Sequence, residues 1–132
     1  MEYMIGSILA LAVAALAAAV GFDRDRTFFP TILMVIASYY ILFAAMGASM
    51  RALAAEAVVA AAFSAFAIIG YKRSVWWVAA AITGHGVFDL LHHRLIENPG
   101  VPPWWPGFCL AFDVIFGAFI AIRLLKPSPN RL

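Results

Sequence analysis

Residues 74–95 read SVWWVAAAITGHGVFDLLHHRL, and whether this stretch crosses a membrane decides the fold. It opens on two tryptophans, runs through an apolar middle and places His85, Asp89, His92 and His93 on one side. At about 100° of turn per residue, spacings of four, seven and eight keep these side chains within a sector of roughly 100°. They include all 3 histidines of the chain. A polar stripe is costly inside a hydrophobic helix, which marks it as functional.

The rest of the chain is built for lipid. Of its 132 residues, 65% are hydrophobic and 12% charged, against roughly 45–50% and about 25% in a soluble domain. Besides 74–95, the stretches 3–21, 29–47, 50–70 and 104–125 match the length of about 20 apolar residues that a spanning helix needs. The expected fold is all-α: a polytopic bundle of five transmembrane helices, one integral membrane domain over residues 1–132. The run Ala17-Ala18-Ala19 could follow a signal sequence, but Met1-Glu2-Tyr3-Met4 lacks the positive charge of such leaders, so 3–21 reads as a retained span. The single cysteine, Cys109, excludes an intrachain disulfide. A net charge of +2, with the basic residues scattered over loops, makes no case for a nucleic-acid partner.

Charge asymmetry sets an orientation. Arg24, Arg26, Lys72, Arg73, Arg123, Lys126 and Arg131 fall on one side of the five-span arrangement, and only Arg51 and Arg94 on the other. Basic loops stay cytoplasmic, so the amino terminus is expected outside and the carboxyl terminus inside, in the inner (plasma) membrane as a multi-pass protein. Trp76 and Trp77 then lie at the inner interface, Trp104 and Trp105 at the outer one, as amphipathic rings prefer. Asp23-Arg24-Asp25-Arg26 is too polar for hydrocarbon, Pro30 and Pro106 suit first helical turns, and 98–103 cannot continue a helix. Gly6, Ala10, Ala14 and Ala18, and likewise Ala57, Ala61 and Ala65, recur every four positions and are candidates for close helix packing.

Depth along each helix brings further polar groups to the stripe. At about 1.5 Å per residue, Glu56 lies about 9 Å from the outer end of its span, Asp113 about 13 Å and Tyr39 and Tyr40 about 10–12 Å. On the striped helix His92 lies about 4 Å, Asp89 about 9 Å and His85 about 15 Å from that surface. Each ionised side chain near the bilayer middle costs on the order of 2.5–3.5 kcal/mol, so three uncompensated carboxylates must be protonated, paired or bound to a cation. No lysine or arginine shares their depth, whereas His85 and His92 do.

Neutral imidazole and carboxylate suit a divalent metal, zinc or iron above all, and ligands one helical turn apart can reach one ion. His85, Asp89 and His92 are the principal candidate ligands, and His93, closest to the interface, is a fourth. Glu56 and Asp113 are candidates for further ligands or, with Asp89, for acid–base roles. Tyr39, Tyr40 and Cys109 are candidate pocket residues, Cys109 lying one turn before Asp113 on the same helix face. Haem held by two histidine-bearing spans is excluded by the histidine count, and no nucleotide cofactor is expected. The HxxHH-type boxes of membrane desaturases resemble residues 89–93 but need about eight histidines. A di-iron bundle would need two ExxH pairs, which are absent. Alkaline-ceramidase-like hydrolases share residue types but not motif order. Nickel and cobalt permeases carry an HxxxxDH arrangement that the present HxxxDxxHH run partly matches.

The run GHGxxDxxHH, followed by a Pro-Trp-rich loop and Cys-x3-Asp, resembles a family of small uncharacterised bacterial integral membrane proteins over residues 83–117. The resemblance implies that His85, Asp89, His92, His93 and Asp113 act as a unit, and it supplies no activity. The leading expectation is a metal-dependent membrane enzyme acting on a lipid or other hydrophobic substrate. Hydrolysis is favoured over oxidation, because one metal and one base suffice for it. A divalent-metal or proton-coupled transporter and a non-catalytic protein with a structural polar cluster are the alternatives. Membrane lipid and a hydrophobic small molecule are the expected partners, and a homo-oligomer is compatible with the small chain.

Overall fold

Turn chemistry sets the helix boundaries in the computed structural model, which describes residues 1–126. Arg131, one of the basic residues that set the expected orientation, lies outside the described residues. Helix α1 (Glu2–Val20) stops at Gly21, whose φ of 96° is left-handed and costs a glycine little. A single 3-10 turn (Phe22–Arg24) leads to α2 (Phe28–Met46), which carries Pro30 in its first turn. Ser49 caps α3 (Met50–Lys72), its hydroxyl accepting the Ala52 amide at 3.1 Å. Helix α4 covers Trp76–Leu95, and α5 covers Trp105–Leu125 with Pro106 in its opening turn.

The described residues thus form an all-α fold of five α-helices, and four of them, α1, α2, α3 and α5, are long and apolar enough to cross a membrane. These are the proportions of a membrane protein. Helix α4 has 20 residues, the length of its neighbours, but its polar stripe keeps it out of that set. The stripe faces inward: His85, Asp89 and His92 are buried, while Val87, Leu90 and Leu91 on the other faces are exposed. Helix α4 lies against α5 and α3 and touches α2; α1 packs on α5, and α2 on α3.

The small-residue stripes pack only in part as expected. Gly6, Ala10 and Ala14 are buried against α5, and a Cβ at Gly6 would collide with the Phe108 carbonyl oxygen. Ala17, not Ala18, continues that face, because a strict four-residue repeat drifts about 40° per step around a 3.6-residue helix. Ala57, Ala61 and Ala65 are not buried; the buried face of α3 is instead Ala52, Glu56, Ala60, Ala67 and Gly70. Burying Glu56 among partners removes a charge from lipid, and that outweighs the choice between two alanine faces.

At the end of the bundle holding the α1–α2 and α3–α4 links, Asp23 is buried and pairs with Arg123 of α5 at 2.7 Å. Arg26 donates to the Tyr71 carbonyl at 2.6 Å and lies over its ring. A core of Phe29, Leu33, Val78, Ile82, Phe116 and Ile120 fills the bundle toward that end. At the opposite end, the α4–α5 loop folds down onto α2: a Cβ at Gly100 would overlap the Phe43 carbonyl oxygen, so only glycine fits.

Candidate functional site

The polar residues meet because four helices each turn one face to a common axis. His85, Asp89 and His92 occupy positions i, i+4 and i+7 of α4, Cys109 and Asp113 are one turn apart on α5, and Glu56 and Tyr40 come from α3 and α2. Gly86 lets α5 approach, for a Cβ there would lie 3.1 Å from the Asp113 Cβ. Gly84, the other glycine beside His85, has nothing within 4 Å and makes no such approach.

The cluster has two tiers. In the deeper one His85 Nδ1 stands 2.8 Å from Asp113 Oδ2 and 3.4 Å from Asp89 Oδ2, and the Tyr40 hydroxyl donates to Asp89 Oδ1 at 2.6 Å. In the shallower one His92 Nε2 and Glu56 Oε1 share a short contact. Asn98, from the α4–α5 loop, donates to the same Glu56 oxygen and to the Tyr40 carbonyl, each at 3.1 Å. Tyr40 joins the tiers, its ring stacked on that of His92 with centroids 3.9 Å apart and planes 7° from parallel. Phe63 stands edge-on to His85 at 4.7 Å and Phe88 contacts both imidazoles, so aromatic rings wall one side of the tiers.

Electrostatics make this arrangement demanding. Glu56, Asp89 and Asp113 are at most 1% exposed, and no lysine or arginine pairs with them among the described residues. Asp89 Oδ2, Asp113 Oδ1 and Glu56 Oε2 are buried without a hydrogen-bond partner. Such groups cost about 1–3 kcal/mol each, more when charged, unless a proton or cation satisfies them. His85, Asp89 and Asp113 each offer a ligand atom, and these atoms lie within 4.8 Å of one another, a spacing that suits a metal ion.

The expected residues therefore divide. His85, Asp89 and Asp113 converge; His92 joins Glu56 in a separate pair; Tyr40 links the two. His93 is exposed and lies outside the cluster, bordering a cavity of about 570 Å³ beside the α4–α5 loop that His92, Glu97 and Asn98 also line. Tyr39 turns the other way, its ring 5.2 Å from that of Trp105, into a second cleft lined also by Cys109 and Asp113. Asn98 carries no signal of its role in the sequence, where Asn98-Pro99-Gly100 reads only as a helix breaker; its inward reach depends on the loop's fit over Phe43. Trp105 has the composition of an interfacial ring, yet its Nε1 is buried and unpartnered. No family model, curated protein or solved structure matches this chain.

Proposed function

We propose that the chain is a small five-span enzyme of the inner membrane, with a divalent metal held by His85, Asp89 and Asp113 and a hydrophobic substrate. One observation carries the metal centre: Asp89 Oδ2 and Asp113 Oδ1, both buried and unpartnered, flank His85 where no lysine or arginine compensates them among the described residues. One imidazole and two carboxylates are hard to borderline donors that suit zinc or iron. The same atoms that share a proton between His85 and Asp113 are placed to share a cation. Tyr40 would orient Asp89 as an outer partner orients a ligand. The metal would supply Lewis acidity and an activated water, for which hydrolysis is the simplest use. Glu56 and His92, with Asn98 fixing the carboxylate, form the acid–base pair nearest the cavity beside the α4–α5 loop and can pass a proton to or from it.

Reading α4 as the fifth span rests on its length of 20 residues, about 30 Å, and on its short link to α3 at 73–75. The large exposed side chains of α4 ahead of His93, among them Val87, Leu90 and Leu91, are apolar. The basic bias favours an outer amino terminus and an inner carboxyl terminus. The apolar core of Leu33, Val78, Ile82, Phe116 and Ile120 blocks a polar path through the inner half, which favours an enzyme over a carrier.

The test is metal analysis of purified protein beside His85→Ala, Asp89→Asn, Asp113→Asn and His93→Ala. Near-stoichiometric zinc or iron is expected in the wild type and in His93→Ala, and loss in the other three. A folded, metal-free wild type that takes up neither ion on titration would overturn the reading.

A further inference from the structure

The second cleft runs between α2 and the closely packed pair α1 and α5, where α2 stands off because it packs on α3 instead. It measures about 460 Å³, within the range of small-molecule sites. Leu9, Val13, Ile32, Ile36, Phe108 and Phe112 make its walls. Three polar groups interrupt them. Trp105 Nε1 is a buried donor without a partner, Tyr39 lies beside it with ring centroids 5.2 Å apart, and Asp113, fully buried with Oδ1 unpartnered, lines the deeper part. Trp105 and Asp113 are eight positions apart on α5, about 12 Å along the helix. Both ends of the cleft are thus chemically marked: a donor near the outer end, the metal-centre carboxylate near the bilayer middle.

We infer that this cleft binds a single-chain, uncharged amphiphile entering sideways from the bilayer, its hydrogen-bond-accepting head at Trp105 and Tyr39 and its hydrocarbon chain reaching Asp113. The ligand class follows from what lines the cleft. A hydrocarbon segment matches the apolar walls, and an unpartnered indole N–H calls for an acceptor such as an ester, amide, ketone or hydroxyl oxygen. No lysine, arginine or histidine lines the cleft among the described residues, so a phosphate or carboxylate head finds no counter-charge. The volume takes one chain segment, not a two-chain phospholipid. The cleft is distinct from the bond-breaking site proposed above, because the polar head lies about 12 Å along α5 from Asp113, so this occupant is assigned as a ligand of the cleft. Its binding depends only on the cleft.

The experiment uses the full chain in phospholipid nanodiscs and three mid-chain diazirine probes: a long-chain fatty acid methyl ester, the free acid, and a phosphatidylcholine. Saturable labelling by the ester is expected, mapped by mass spectrometry to the cleft walls around Cys109, with at least tenfold less from the acid and the phospholipid. Ile36→Trp, which fills the cleft, and Val35→Trp, which covers it from an exposed position, should each cut ester labelling at least tenfold while metal content stays at the wild-type level. Trp105→Phe should weaken it several-fold. Labelling spread evenly over the lipid-facing helices, equal labelling by the phospholipid, or labelling unchanged in both tryptophan variants would overturn the inference. If wild type holds no metal but labels saturably, the metal reading fails and the cleft stands; if it holds metal without saturable labelling, the cleft fails and the metal centre stands.

Discussion

Replacing Tyr40 by phenylalanine tests the joint between the two tiers. The hydroxyl donates to Asp89 Oδ1 at 2.6 Å, with both residues at most 1% exposed, and phenylalanine keeps the ring that stacks on His92 at 3.9 Å. The substitution therefore removes one hydrogen bond and little packing. Hydrogen bonds to charged groups contribute about 1.5–3 kcal/mol. Asp89 Oδ2 already lacks a partner, so the variant leaves the whole carboxylate without a donor, 3.4 Å from His85 Nδ1. The upper part of the range applies: a loss of about 2–3 kcal/mol, or about 30- to 150-fold in the folding equilibrium. Affinity for the proposed metal should fall about 10- to 100-fold, as when an outer partner of a ligand is removed. Reversible unfolding in bicelles by detergent titration reads the first, and competition with a chelator reads the second. A double-mutant cycle with Asp89→Asn assigns the loss to this pair. A stability change within about 0.5 kcal/mol together with unaltered metal affinity would refute the coupling of Tyr40 to Asp89.

Other consequences are independent of the metal. Arg123→Ala strands the buried Asp23 carboxylate and should cost about 2–3 kcal/mol, less than a fully buried pair because the arginine is about a third exposed; unfolding measurements that find no loss would contradict it. Gly6→Leu drives a side chain into the Phe108 carbonyl and should cost about 1–3 kcal/mol or more, whereas Gly84→Ala meets nothing and should stabilise α4 by about 0.5–1 kcal/mol; the two thermal shifts should have opposite signs. The Thr27 amide and hydroxyl, donating to Asp25 at 2.9 and 2.8 Å, hold its carboxyl below the ordinary 3.8. A group whose folded value is depressed stabilises fully above its unfolded value, and that contribution is lost as pH falls through the folded one. Acid melting below about pH 3.8 should therefore be shallower in Asp25→Ala, and an unchanged acid limb would exclude a role for this turn.

Legibility in the sequence was uneven for physical reasons. Periodicity marked the buried stripe of α4, because spacing on a single helix fixes which side chains share a face. Depth brought Glu56, Asp113 and Tyr40 to the level of that stripe, since rise per residue is nearly constant. Which acid meets which histidine was not legible: the rotation of α3 and α5 about their own axes decides it, with Gly86 admitting α5 and α3 burying the face that carries Ala52, Glu56 and Ala60. The preference for the Glu56 face of α3 over Ala57, Ala61 and Ala65 belongs to the same kind of choice. Asn98 sits in a segment whose composition signals only a turn, and its role arises when the loop settles over Phe43.

Composition, helix length and the period of the apolar pattern by themselves determined a lipid-adapted all-α chain with one polar helix face, because those properties are set within single segments. Tertiary structure alone decided that His85, Asp89 and Asp113 form one triad and Glu56 and His92 another pair, that His93 stands outside both, and that a lateral cleft reaches Asp113. The reason is geometric: segments fix what each helix offers to its neighbours, and the rotation and contact of helices against one another fix which of those offers meet.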